Sequence, residues 1–252
     1  MQDQGTPAPG APVARAPLVD RWFYMVMAMC TIVTVVLGFT PSLVNTAARN
    51  APVTPLATAH GVVYLAWLLL FFTQTTLVAT RRISVHRRLG AATVFLAPVM
   101  IVLGYKTAIV MARRGFDLSG DLHTQADPLL GIVNPLGDLV PFAILVTAGF
   151  LYRHRSEIHK RLMLLATVGG LMPAPLAHLI GHLPSVRDKP PVIVIPIALF
   201  LFAGAVYDRI SLGRIHPVSL WVALAIFVWD LSLNIIIGPS AAWHHFAQWL
   251  VR

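Results

Sequence analysis

From residue 22 onward the chain is a succession of long apolar stretches separated by short polar ones. Seven of them, near residues 22–41, 56–80, 89–112, 129–152, 160–183, 191–208 and 216–238, approach the ~20 helical residues that a hydrocarbon layer of roughly 30 Å requires. A chain in lipid must satisfy its backbone N–H and C=O groups internally, and within one segment only a helix does so. The runs are apolar throughout rather than alternating, which argues against a membrane barrel. The expected fold class is therefore all-α: a polytopic membrane protein, a seven-transmembrane-helix bundle over residues 21–240. Residues 1–20 are rich in Ala, Pro and Gly and read as a flexible tail. They lack the apolar core of a cleavable signal, so the first span reads as a retained anchor. Residues 241–252 read as a short aromatic tail, with Trp243 and Trp249 suited to a membrane interface.

Proline recurs inside the spans at 98, 135, 141, 173, 175 and 196. Each removes a backbone donor and can kink its helix. Gly169-Gly170 followed by Pro173 and Pro175 makes span five the expected broken helix. The simplest role for such a break is a packing bend. No internal repeat of the kind found in inverted-symmetry transporters is visible.

Composition agrees with the pattern: 57% of residues are hydrophobic and 12% charged, against about 25% charged in soluble domains. Lys and Arg number 19 against 10 acidic residues. Membrane topology accounts for this excess without a nucleic-acid partner, because cytoplasmic loops collect Lys and Arg. With seven spans, the N-terminal side holds Arg15, Arg21, Arg81, Arg82, Arg87, Arg88, Arg153, Arg155, Lys160, Arg161, Arg209 and Arg214. The other side holds Arg49, Arg113, Arg114, Arg187, Lys189 and Arg252. Twelve against six predicts a cytoplasmic N-terminus and an external C-terminus. The loop with Asp117, Asp121, His123 and Asp127 is then the main external one. The single cysteine, Cys30, excludes an intrachain disulfide, and the absence of a CxxC or Cys/His finger argues against sulfur-ligated zinc and iron–sulfur sites.

Ionisable groups within spans are costly and point to function. His60, Lys106, Asp138, His178, His182 and Asp230 all fall in the outer half of the expected bilayer. Asn134, Asn234, His123, His244 and His245 can join from the same side. Lys106, Asp138, Asp230 and Asn234 are expected to line a polar pocket. Lys106 paired with either aspartate serves charge neutralisation or a proton relay. His178 and His182 are four residues apart and share a helix face. This spacing suits a divalent metal completed by His60, Asp138 or Asp230. It also suits a b-type haem, with His60 facing either histidine. The third reading is interfacial histidines bonded to carbonyls or lipid headgroups.

Two basic motifs, RRISVHRRLG (81–90) and HRSEIHKRLMLL (154–165), join spans two to three and four to five. Each is expected to place a histidine, His86 or His159, in a basic loop just before a helix. Arg87, Arg88, Lys160 and Arg161 complete these motifs. Inside anchoring explains the arginines, and anionic lipid headgroups are a second candidate contact.

Residues 60–90 and 159–167, with YDRISLGRIHP (207–217) and AAWHHFAQWL (241–250), resemble the motifs of uncharacterised bacterial heptahelical inner-membrane proteins. The resemblance rests on His60, Trp67, Gln74, His86, Arg87, Gly90, His159, Lys160 and Arg161. It implies the seven-helix architecture and a multi-pass location in the bacterial inner membrane, with the C-terminus periplasmic. Members are expected to carry Arg rather than His near the end of span five, which argues against a family-wide metal site at His178 and His182. The His-Arg-x-x-Gly step is similar to wider families suspected of links to haem or respiratory assembly.

The leading expectation is a non-enzymatic accessory subunit or small-ligand binder in a bioenergetic membrane complex. Its partners would be the bilayer and other membrane subunits. The alternatives are a metal- or haem-dependent membrane enzyme using His60, His178 and His182, and a proton-linked transporter using Asp138 and Asp230.

Overall fold

The structure, a computed structural model, describes residues 18–45, 47, 52–115, 127–183 and 191–252. Seven helices long and apolar enough to cross a membrane are present, with no strand among the described residues. They are α1 (Leu18–Val44), α2 (Pro55–Ala79), α3 (Ile83–Arg114), α4 (Pro128–Leu151), α5 (Ser156–Gly181), α6 (Pro191–Leu212) and α7 (Val218–Ile237). The protein is an integral membrane protein with the expected all-α, seven-helix architecture. Most of the expected N-terminal tail, and Asp117, Asp121 and His123, lie outside the described residues.

Capping chemistry sets several helix starts. Thr54 accepts the Ala57 N–H at 3.2 Å ahead of Pro55, and Asp127 accepts from Leu129 and Leu130 at 2.9 and 3.3 Å ahead of Pro128. A side-chain oxygen here satisfies otherwise orphaned helix donors, and proline fits the first turn because its missing N–H is not needed.

α5 is the central element. In its most apolar window 61% of residues are buried, against 17–33% in the other six spans. Arg161, Leu162 and the run from Leu164 to Gly169 are buried on all sides of the helix. It breaks at Met172, between Ser156–Leu171 and Pro173–Gly181, as the Gly and Pro pattern predicts. Beyond the break α5 leans on α1. A Cβ on Gly38 would sit 2.4 Å from the Pro175 carbonyl oxygen, so only glycine permits that approach.

Two other spans are irregular. α4 is three segments, Pro128–Gly131, Val133–Gly137 and Leu139–Leu151, with interruptions at Ile132 and Asp138. α7 carries π-helical turns at Val218–Val222 and Leu233–Ile237.

The basic motifs are placed differently from expectation. α3 begins at Ile83 and α5 at Ser156, so His86 and His159 lie inside the first helical turns rather than in loops before them. The residues contain no breaker, and a helix can run past the apolar zone into the headgroup layer. Hydropathy, which reads only the apolar zone, therefore starts both helices late. The segment expected as an aromatic tail contains a helix, α8 (Ala241–Val251), whose first turn is capped by Ser240 at 3.1 Å from Trp243 N.

Candidate functional site

Asp138 and Asp230 come together between α4 and α7. Their neighbours lock the two helices: Trp229 Nε1 donates to the Gly137 carbonyl at 3.0 Å. The Asn134 and Asn234 amides exchange bonds of 2.9 and 3.0 Å. Asp138 sits at the second break of α4 and within electrostatic reach of both Asp230 and Tyr64. Asp230 directly precedes the second irregular stretch of α7 by three residues. Both of its carboxylate oxygens are buried and have no hydrogen-bond partner among the described residues. Asn234 Nδ2 also donates to the Asp230 main-chain carbonyl at 2.7 Å.

His60 approaches this cluster from α2. Its ring stacks on Tyr64 with centroids 3.9 Å apart. Thr107 donates to the Gly104 carbonyl at 2.8 Å, so the 3.4 Å contact with His60 is a bond from the ring Nδ1–H to Thr107 Oγ1. Tyr64 Oη donates to the Met100 carbonyl at 3.2 Å.

The rest of the expected pocket is not gathered here. Lys106 is exposed on α3, and no ion pair joins it to Asp138 or Asp230. Its long side chain can carry the ammonium along the helix to the interface, which removes any need for a buried partner. His178 and His182 instead turn to α1. The His178 ring lies 4.5 Å from that of Phe39, and His182 Nε2 is 3.4 Å from Ser42 Oγ. Their mutual ring distance is 6.4 Å. Among the described residues no group of three or more His, Cys, Asp or Glu side chains is placed to hold a metal ion. The expected set of His178, His182 and Asp138 is therefore not assembled. The i, i+4 spacing aligns two histidines but supplies no third ligand.

At the opposite end of the bundle the basic motifs do converge. The His86 and His159 rings, from α3 and α5, lie 6.2 Å apart and nearly perpendicular. His159 Nδ1–H donates to the Gly149 carbonyl at 2.7 Å, which fixes its tautomer and leaves Nε2 available. Gln74 of α2 lies against Gly90, and Trp67 Nε1 reaches Thr167 Oγ1 at 3.2 Å.

Beside them lies a network that sequence reasoning missed. Arg161, buried in α5, forks onto Asp208 of α6: Nε donates to Oδ2 at 3.1 Å and Nη2 donates to Oδ1. Arg161 Nη1 also donates to Glu157 Oε2 at 2.8 Å, and Glu157 pairs with Lys160 at 3.0 Å. Ser219 donates to Asp208 Oδ2 at 2.5 Å, and the His216 N–H reaches the same oxygen at 3.3 Å. His216 Nδ1 accepts the Val218 N–H at 3.2 Å, and partial burial lowers the pKa of its ring. The only available signal was an aspartate closing an apolar run at the basic end of the chain.

At the end carrying Asp127, α8 folds back on α3 and α4. Ala247 is buried with Ala108 and Ile132. Trp243 Nε1 donates to the Leu129 carbonyl at 2.8 Å, and Arg113 Nε donates to the Val251 carbonyl at 3.0 Å. His244 lies between two acceptors, the Ser240 carbonyl at 2.9 Å and Asp127 Oδ2 at 2.5 Å. Both ring nitrogens therefore donate, and these two partners raise the His244 pKa. The bond from His244 in turn lowers that of Asp127. Trp249 stays exposed, as an interfacial residue would be.

Set against protein-family models, curated proteins and solved structures, the chain has no significant match to any of the three, so its own geometry carries the functional argument.

Proposed function

We propose that the protein is a non-enzymatic, small-ligand-binding membrane protein whose site is the Asp138–Asp230 pair, and that the ligand is a proton or a small cation. One observation carries this reading: both Asp230 carboxylate oxygens are buried within a span, lack any hydrogen-bond partner among the described residues, and lie in electrostatic reach of a second carboxylate. Two carboxylates facing each other in hydrocarbon call for a positive charge between them. Lys106, exposed elsewhere, does not provide it. The His60–Tyr64 stack and the Asn134–Asn234 clasp support the pair from either side. The motif resemblance supports a setting in a bacterial inner-membrane bioenergetic complex. The basic residues around the α2–α3 and α4–α5 turns support a cytoplasmic location for that end.

Proton-linked transport is the second reading. The break of α4 at Asp138 and the π-helical turn of α7 that starts three residues after Asp230 favour it. Such irregularities free backbone groups and concentrate at functional sites.

The test is covalent labelling of the purified protein with dicyclohexylcarbodiimide, which attacks protonated carboxyls in apolar surroundings. We expect an adduct on Asp138 or Asp230, reduced in D230N and competed by a monovalent cation if that is the ligand. Absence of any adduct at both positions overturns the reading. Proton uptake by proteoliposomes, tested with a pH-sensitive dye, separates transport from binding.

A further inference from the structure

We propose that the basic end of the bundle holds the headgroup of an anionic phospholipid between the α2–α3 turn and the start of α5, its phosphate on the arginines of that turn and its glycerol hydroxyls toward Gln74, His86 and His159. Three independent observations lead there.

The first is an unsatisfied polar floor. Gln74 is 9% exposed, and its Oε1 has no partner among the described residues. The buried His86 Nδ1 is also without one. Buried polar atoms normally find a partner, and one left alone is costly. His159 is held by Gly149 with Nε2 left over, and its ring stands 6.2 Å from that of His86. Gln74 Oε1 and His159 Nε2 are both acceptors and call for a donor. The glycerol hydroxyls of phosphatidylglycerol can donate to such acceptors, while its phosphate oxygens face the arginine rim.

The second is the rim. Arg81, Arg82, Arg87 and Arg88 are all exposed, and none has a hydrogen bond or ion pair from its side chain among the described residues. No acidic residue lies between Ala79 and Gly90. The carboxylates at this end of α5 and α6 are already engaged: Glu157 by Lys160 and Arg161, and Asp208 by Arg161 and Ser219. Basic residues just outside a span attract anionic headgroups.

The third is backbone strain. Arg81 has φ 62°, the left-handed region that glycine or asparagine would occupy more easily. Strain of this kind persists where the surrounding structure over-determines it, and it clusters at ligand sites. Arg82 N donates back to the Leu77 carbonyl at 2.7 Å, which holds the turn.

The experiment is native mass spectrometry of the full-length protein in detergent, titrated with phosphatidylglycerol, phosphatidylcholine and inorganic phosphate. We expect one retained phosphatidylglycerol and a preference of about tenfold or more over phosphatidylcholine. R87Q/R88Q should abolish the preference, and H86N/H159N should weaken binding while leaving the thermal midpoint near wild type. R87Q/R88Q alters exposed residues only, so it reports even where the histidine variant does not fold. Equal retention of both lipids, or unchanged selectivity in R87Q/R88Q, overturns the proposal. Saturable binding of inorganic phosphate that displaces the lipid also overturns it, by reassigning the site to a soluble anion.

Discussion

Arg161 and Asp208 meet as a forked ion pair in which the two side chains are 2% and 0% exposed, joining the central helix α5 to the end of α6. A buried pair of this kind contributes little over an apolar replacement, but breaking it strands a charge. We expect D208N to lower the unfolding free energy in detergent by about 3–5 kcal/mol. The double replacement R161M/D208L should cost clearly less than D208N alone. A double variant as unstable as the single one would show that the pair itself, rather than the stranded charge, carries the stability.

Asp127 and His244 predict a pH window for the docking of α8. The lowered Asp127 pKa stabilises the folded state above the ordinary carboxylate value of about 3.9, and this is lost as pH falls through the lowered value. The raised His244 pKa stabilises it below the ordinary histidine value of about 6.5, and this is lost as pH rises through the raised value. Docking should therefore be tightest from roughly pH 4 to pH 6.5. A spin label at Gln248 should gain mobility above that range in the wild type. In D127N the same label should be mobile within that range as well as above it. A wild-type label insensitive to pH would count against the latch.

Two glycines should respond oppositely to the same substitution. Gly38→Ala drives a methyl group into the Pro175 main chain at 2.4 Å, and a backbone carbonyl cannot swing aside. We expect a loss of about 1–3 kcal/mol. Gly61→Ala meets no atom within 4 Å on the neighbouring helix and should be neutral or stabilising, by up to about 1 kcal/mol. Thermal melts of the two variants side by side test the α1–α5 contact directly.

Lys106 provides a control for the carboxylate pair. It is exposed and unpaired with either aspartate, so K106Q should leave carbodiimide labelling at Asp138 and Asp230 unchanged within about twofold, whereas D230N should remove most of it. A strong effect of K106Q would restore the lysine to the site.

The seven spans were legible because their signal is bulk hydrophobicity over many residues, which lipid enforces everywhere along a helix. Asp138, Asp230 and Asn234 were legible for the converse reason, since a polar group in such a run is rarely accidental. What the pattern could not supply was rotation about each helix axis. Lys106 and Asp138 lie at similar expected depths, yet one faces outward and the other inward. His178 and His182 share a face, but that face belongs to Phe39 and Ser42. The Arg161–Asp208 contact spans 47 residues and two helices, and Arg161 alone does not distinguish itself from an inside anchor. The start of α3 was misplaced because hydropathy registers the edge of the lipid and not the end of the helix.

The same 47-residue separation has a consequence for biosynthesis. When α5 emerges from the ribosome, its buried arginine has Glu157 nearby in sequence but not Asp208, which has yet to be made. Span five should therefore linger beside the insertion machinery until α6 arrives, and the two should enter the lipid together. A nascent chain ending before Asp208 should leave span five incompletely integrated in an alkaline-extraction assay, and one extending past Ser219 should not.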